Sequence, residues 1–286
     1  MTQRQNEIPI LASIAGLGGA RKAWLCDVWG VLHNGVSVFH SAVEACMAFR
    51  RSGGVVILIS NSPRPGIGVA AQIEELGVAR GCYDSIVTSG DVTRDLVSER
   101  VSDPMFHIGP ERDLGFFEGL SVQFTSEKEA KLIICTGLFD DETEKPEDYD
   151  GMLSQFAARK VPMICGNPDI VVERGDRIVP CAGALAVRYA AMGQNVIQAG
   201  KPYPPIYEVA LKNLPAAISR ADVLAIGDGI DTDIKGAAEL GIDAVYIASR
   251  VHLQSFGHER LSARALDAIF ENRPFRPVAA LSQLNW

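Results

Sequence analysis

A few polar residues stand where catalysis or ligand binding is to be expected. Asp27 follows the apolar run Ala23 to Cys26, Ser60 and Asn61 follow Val55 to Ile59, Lys201 follows Val196 to Gly200, and Asp228 follows Val223 to Ile226, with Asp231 and Asp233 just beyond. In open parallel sheets the ligand crevice lies outside the carboxyl ends of the strands, so residues that directly follow apolar runs are the first candidates. Taken singly, an Asp after a strand reads as a turn or N-cap residue, and a Lys before a proline as a surface residue. Jointly, one carboxylate, a hydroxyl and amide pair, an ammonium and a second acidic cluster form the inventory for holding a divalent cation and a phosphoryl group. The acidic cluster would repel phosphate unless a metal neutralised it.

These residues must be positioned by strands, and strand-type runs recur along the chain. Besides those named, Ile86 to Val87, Leu132 to Cys135, Met163 to Cys165 and Ala244 to Ile247 are short and apolar. Most are followed by an amphipathic stretch of helical length, the alternation that builds parallel sheets, so the fold class is α/β. Val55 to Ile59 is apolar without alternation, as expected of a strand covered on both faces by helices. Ser41 with Glu44 has capping-box spacing, and Gly77, Gly193 and Gly241 follow apolar helical patterns where a left-handed closing residue is wanted. Asp140 to Asp150 reads as an acidic, solvated loop. A last helix is expected from Ala263 to Asn272, followed by a packing tail around Arg273 to Pro277.

The chain has 286 residues, and division by about 150 residues per domain gives roughly two domains, or one core with a large insertion. With 47% hydrophobic and 22% charged residues it has the composition of a globular protein. Its 27 Lys and Arg against 35 Asp and Glu leave a net charge of −8, which argues against nucleic acid as partner and requires that any bound anion be held by local donors. The 6 cysteines contain no C-x-x-C pair, so neither a zinc cluster nor a dithiol redox motif is written, and buried reduced thiols are expected. No apolar run has the length of a membrane helix, and the N-terminal residues lack a signal-peptide pattern; the expectation is a cytoplasmic chain without membrane partners.

Four spaced motifs then carry a resemblance. Gly166-Asn167-Pro168-Asp169, Cys181-Ala182-Gly183-Ala184-Leu185, Gly200-Lys201-Pro202, and Gly227-Asp228 with Thr232-Asp233-Ile234 occur in this order. Together with Asp27 and Ser60 the chain resembles, over most of its length, the haloacid dehalogenase superfamily of aspartate-nucleophile phosphatases. Within it, the class IIA sugar-phosphatase and nitrophenylphosphatase type is the nearest in pattern. The resemblance implies a Rossmann-like core (residues 1–87 and 185–286) with an inserted α/β cap of type 2 (88–184). It implies a Mg²⁺-dependent hydrolase of a small phosphate monoester, a sugar phosphate or similar metabolite, and a homodimer. Carried over residue by residue, Asp27 is the nucleophile that forms an aspartyl-phosphate. Ser60, Asn61 and the backbone at Val28 bind the phosphoryl oxygens, and Lys201 offsets their charge. Mg²⁺ is held by Asp27, Asp228 and the backbone oxygen of Trp29, with Asp233 supporting from behind. Asn167 and Asp169, on a cap loop, read the leaving group.

One position departs from the pattern. The family's first motif is Asp-x-Asp, in which the second Asp protonates the leaving group; here the segment reads Asp27-Val28-Trp29. An indole has no proton to give at a useful pKa. The loss of general acid catalysis is worth about 10²- to 10⁴-fold in rate. Two readings follow: a phosphatase whose proton is handled by solvent, substrate or His33, and a phosphometabolite-binding module on a phosphatase scaffold. A loop histidine such as His33 is expected to be exposed and idle.

Overall fold

The computed structural model describes residues 7–286. In chain order it forms the strands β1 (Ala23–Asp27), β2 (Val55–Ser60), β3 (Ser85–Thr88), β4 (Met105–Ile108), β5 (Leu132–Cys135), β6 (Met163–Cys165), β7 (Val171–Arg174), β8 (Arg177–Pro180), β9 (Val196–Gln198), β10 (Val223–Gly227), β11 (Asp243–Ile247) and β12 (Ala279–Leu281). A six-stranded sheet has the order β12-β11-β10-β1-β2-β3. Its inner pairs are parallel, with Leu25 opposite both Ile57 and Ala225. A four-stranded parallel sheet has the order β4-β5-β6-β9, and β7 and β8 form an antiparallel hairpin. The α/β class, the parallel sheets and the Rossmann-like core are those expected.

The large sheet follows from its residues. All five residues of β1 are buried, and so are Val56 to Ser60 of β2, the signature of central strands covered on both faces. Trp24 stacks on Phe49 of helix His40–Arg51, ring centroids 4.1 Å apart and ring planes nearly parallel. The chain places β2 and β3 on one side of β1, then returns to place β10, β11 and β12 on the other, so the strand order reverses between β1 and β10. Such a reversal opens a crevice at the carboxyl ends of those two strands.

The residues divide into two compact units. The first runs from the N-terminal part through Ile59, with Gln72–Ile86 and Ala210–Trp286; the second comprises Ser60–Ala71 and Val87–Val209. The long segment of this second unit starts one residue before the expected insert of 88–184 and runs on to Val209. Helix Ala182–Ala191 buries Ala182, Leu185, Ala186 and Tyr189 in one cluster with Ile133 of β5 and Met163 of β6, and β9 pairs with β6. These contacts carry the second unit past residue 184.

Other local expectations meet the structure with mixed results. Gly77, Gly193 and Gly241 adopt φ of 102°, 77° and 67°, as helix-closing residues should. Ser41 does not cap its helix: Phe39 is the N-cap, and the Ser41 hydroxyl donates to the Leu284 carbonyl at 2.9 Å. The stretch from Asp140 to Asp150 is not simply solvated, because Asp141 is drawn inward by Arg174 at 2.9 Å and by Arg112, and Tyr149 is buried. The last helix is Ala263–Phe270, capped by the Ser262 hydroxyl, and the tail after it adds β12 to the sheet edge beside β11. All six cysteines are buried free thiols. No helix among the described residues is long and apolar enough to cross a membrane.

Candidate active site

In the first unit, Asp27 is the last residue of β1 and Asp228 directly follows β10, so both stand at the strand-order reversal. One carboxylate oxygen from each of Asp27, Asp228 and Asp233 lies within 4.8 Å of the others. Asp27 and Asp233 are buried, at 6% and 4% exposure. Two features of the backbone bring the three together. Gly30 has φ of 86°, and a Cβ there would collide with the Asp228 carboxylate; a Cβ at Gly227 would collide with Asp233. The backbone N–H of Gly229 donates to Asp233 Oδ2 at 3.1 Å, which fixes that carboxylate at the start of the turn.

Three carboxylate charges this close repel one another, and a divalent cation offsets the repulsion. The donors are all hard oxygens, the set that suits an alkaline-earth ion and not a thiolate-seeking metal. The acidic cluster therefore fits a metal of that kind. Asp233, expected only behind the site, is in the same set of ligand atoms as Asp27 and Asp228.

In the second unit a different group assembles around Asn61, which is 3% exposed. Its Nδ2 donates to Asp169 Oδ1 at 2.8 Å and to the Lys201 carbonyl at 3.0 Å, and its Oδ1 accepts from the Lys201 backbone N–H at 2.7 Å. The Asn61 amide is thus engaged by protein on both ends. The Asn167 Oδ1 accepts from the Asp169 N–H at 3.0 Å, the local turn that its composition suggests, and it sits within the same cluster. Lys201 is buried at 2% exposure, and the Ser60 hydroxyl accepts from the Ser62 N–H at 3.2 Å. Gly200 permits this packing: a Cβ would lie 2.6 Å from Asn61 Oδ1 and 2.7 Å from Ser89 Oγ.

The sequence-expected residues therefore fall into two groups, Asp27, Asp228 and Asp233 in one unit and Ser60, Asn61, Asn167, Asp169 and Lys201 in the other. A haloacid dehalogenase-like hydrolase family model matches residues 24–123, and a HAD-hydrolase-like model matches residues 198–272. A crystal structure of a haloacid dehalogenase-like family hydrolase from Brucella suis is 43% identical, with a TM-score of 0.84, over 95% of this chain and 98% of that one. The chain belongs to the haloacid dehalogenase-like family. The acid sugar phosphatase of Staphylococcus haemolyticus is 25% identical over 80% of this chain and 86% of its own. The p-nitrophenyl phosphatase from Archaeoglobus fulgidus shares the fold at a TM-score of 0.68 and 20% identity, over 92% of this chain and 96% of that one.

The loop after Asp27 carries two ring side chains that touch each other. Trp29 is half-buried and meets His33 edge to face, ring centroids 5.0 Å apart. His33 is buried at 2% exposure, not exposed as its loop position suggests. Burial lowers its pKa to about 4, and its Nδ1 accepts from the Gly35 N–H at 2.8 Å. That bond places the proton of the neutral ring on Nε2, so His33 is not available as a base. The Leu32 N–H donates to the Val28 carbonyl at 2.9 Å, closing the loop over one turn.

Sequence reading missed several contributors in this haloacid dehalogenase-like chain. Gly30 carried a signal, since a glycine two residues beyond the strand end was available for a left-handed turn. Arg64, whose Nε lies 3.7 Å from Asp113 Oδ1, and the Thr136 hydroxyl against His107 Nε2 at 2.8 Å carried none. Those pairs join positions far apart in the chain.

Proposed function

We propose that this protein is a phosphoric monoester hydrolase acting on a small phosphorylated metabolite through a covalent intermediate on Asp27. The observation that carries this reading is the carboxylate trio at the carboxyl ends of β1 and β10, where the strand order reverses. Asp27 attacks phosphorus, the bond from phosphorus to the leaving oxygen breaks, and that oxygen departs with the bonding pair. Water then attacks the phosphorus of the aspartyl-phosphate, the bond to Asp27 breaks, and the water's proton passes to solvent as phosphate leaves. Ser60, the backbone at Val28 and Asn61, and Lys201 bind and neutralise the phosphoryl oxygens, while Asn167 and Asp169 hold the leaving group. Asp27, Asp228 and the Trp29 carbonyl, with Asp233 close by, would hold Mg²⁺, which when bound would supply charge neutralisation for the dianionic phosphoryl group.

Trp29 and His33 offer no proton for the leaving oxygen, so the rate falls on the stability of the leaving anion. Aryl and acyl phosphates should turn over about 10²- to 10⁴-fold faster than alkyl phosphates, the span that general acid catalysis normally covers. Equal rates on both would sink this mechanism.

The direct test is hydrolysis of an aryl phosphate with Mg²⁺ by the wild type and by Asp27→Asn, with intact mass recorded during turnover. The expected result is cleavage by the wild type alone and a transient gain of one phosphoryl group. The same loop favours a second reading, a binding module. It takes over if neither protein cleaves any ester while Mg²⁺ and phosphate esters still raise the melting temperature.

A further inference from the structure

Asp228 and Asp233 are joined by a turn whose first peptide group is gripped at both ends. The plane between Asp228 and Gly229 presents a carbonyl on one side and an N–H on the other. The N–H donates to Asp233 Oδ2 at 3.1 Å. The carbonyl accepts from the ring of His252. His252 Nδ1 is buried and has no hydrogen-bond partner among the described residues, so the donor is Nε2. A proton on Nδ1 would leave a buried donor without an acceptor, so the neutral ring carries its one proton on Nε2, where it is used.

We propose that His252 is a positioning residue of the metal centre: by holding the Asp228–Gly229 peptide in one orientation, it keeps the carboxylates of Asp228 and Asp233 set for a shared cation. This rests on the reading of the carboxylate trio as a Mg²⁺ site.

The fold brings the ring to this peptide from well down the chain. Gly227, the last residue of β10, lies opposite Tyr246 of β11, and helix Arg250–Ser255 begins shortly after β11 ends at Ile247. The helix therefore starts beside the carboxyl end of β10. Leu253 is buried and its N–H donates to the Ser249 carbonyl at 3.0 Å, which fixes the helix that carries His252. A second tie reaches the same turn from further on: Arg273 pairs with Asp231, and its Nε donates to the Ile269 carbonyl at 3.1 Å. Asp231 is outside the carboxylate trio, so that tie holds the turn as a whole, whereas His252 acts on the peptide between the ligands.

The surroundings leave this peptide little room. A Cβ at Gly229 would collide with the Thr232 hydroxyl, and one at Gly30 with the Asp228 carboxylate. Turning the peptide over would withdraw the N–H from Asp233 and the carbonyl from His252 together, so the two hydrogen bonds support each other. Groups that orient metal ligands without touching the metal are worth about 10- to 100-fold in metal affinity.

The test measures the Mg²⁺ Kd by calorimetry and the melting temperature of the metal-free protein, for the wild type, His252→Leu, His252→Asn, His252→Gln and Leu253→Ala. His252→Leu should raise Kd about tenfold or more, and so should His252→Asn, whose shorter amide does not reach the carbonyl; the asparagine variant decides the matter if the leucine variant does not fold. His252→Gln keeps a donor at the reach of Nε2 and should stay within about threefold of the wild type. Leu253→Ala loosens the same helix without removing the bond, so it should lower the metal-free melting temperature while Kd stays within about threefold.

A wild-type Kd in both His252→Leu and His252→Asn overturns the proposal. So does a Leu253→Ala protein that loses as much affinity as they do, or a His252→Gln protein that recovers none, since either result marks a packing role. A wild type that binds Mg²⁺ but cleaves no phosphate ester ends the phosphatase reading and leaves the Kd comparison to decide His252. A wild type that binds no Mg²⁺ overturns the proposal even if it hydrolyses esters.

Discussion

The two units build their polar centres in opposite ways. In the first, like charges are pressed together: three carboxylates within 4.8 Å, with glycines where any side chain would push them apart. In the second, unlike partners are matched: the Asn61 amide satisfies Asp169 and both backbone groups of Lys201. In a cluster of the first kind, repulsion among the members falls when a cation binds. A network of the second kind is finished on folding and gains stability from its own hydrogen bonds. The difference separates a centre whose donors suit a metal from a frame built of matched hydrogen bonds.

The contrast can be broken most forcefully at Asn61. Asn61→Ala takes this partner from the half-buried Asp169 carboxylate and from the buried backbone groups of Lys201, and should lower stability by about 2 to 4 kcal/mol in chemical denaturation, with or without metal. A loss well below 1 kcal/mol would mean that the amide is replaceable and the frame is not self-contained.

Next in size is the response to metal. Adding Mg²⁺ to metal-stripped protein should stabilise it by about 3 kcal/mol at a hundredfold excess over Kd. Asp228→Asn should lose most of that gain while the metal-free variant melts no lower than the metal-free wild type, since one repelling charge is gone. A variant that melts lower without metal would show that the trio is held by bonds of its own.

The smallest expected effect compares the two buried histidines, His33 in the first unit and His107 in the second, each lowered to about 4 by burial. Unfolded histidine binds its proton near 6.5, so between pH 7 and pH 5 the unfolded chain takes up protons that the folded one does not. Stability should therefore fall as pH drops, by up to about 2 kcal/mol per histidine at pH 5. His33→Gln and His107→Gln should each flatten that slope, read from denaturation midpoints at the two pH values. An unchanged slope in His107→Gln would show that its Thr136 contact holds the ring in either charge state.

Much of this was legible in the residues. β5 and β6 fall at the expected limits, Leu132 to Cys135 and Met163 to Cys165, because four or three apolar residues in a row are buried on both faces. β4 was not recognised: Met105–Ile108 is an edge strand whose Phe106 and His107 are only half-buried, so no apolar run announces it. β12 is an Ala-Ala-Leu segment whose strand character comes from pairing with β11 and not from side-chain preference. The hairpin of β7 and β8 did carry a signal, β-branched residues on either side of Gly175-Asp176 with Gly175 at φ of 62°, that the longer motif at Asn167 obscured. Asp27 and Asp228 were legible because a strand end announces itself. The Arg64 and Asp113 pair was not, since charge pairing across such a separation leaves no local pattern.

Asn61 reaches its partners over sequence separations of 108 and 140 residues. Contacts of that range are among the last to be closed as a chain collapses, because the intervening loop must first be gathered in. On a ribosome, β1 and β2 can emerge well before residue 201 exists, yet the amide between them and Lys201 cannot be satisfied until then. The order of synthesis thus makes the matched frame a late step in maturation, and hydrogen exchange during refolding should find protection at the Lys201 amide after protection in β1 and β2.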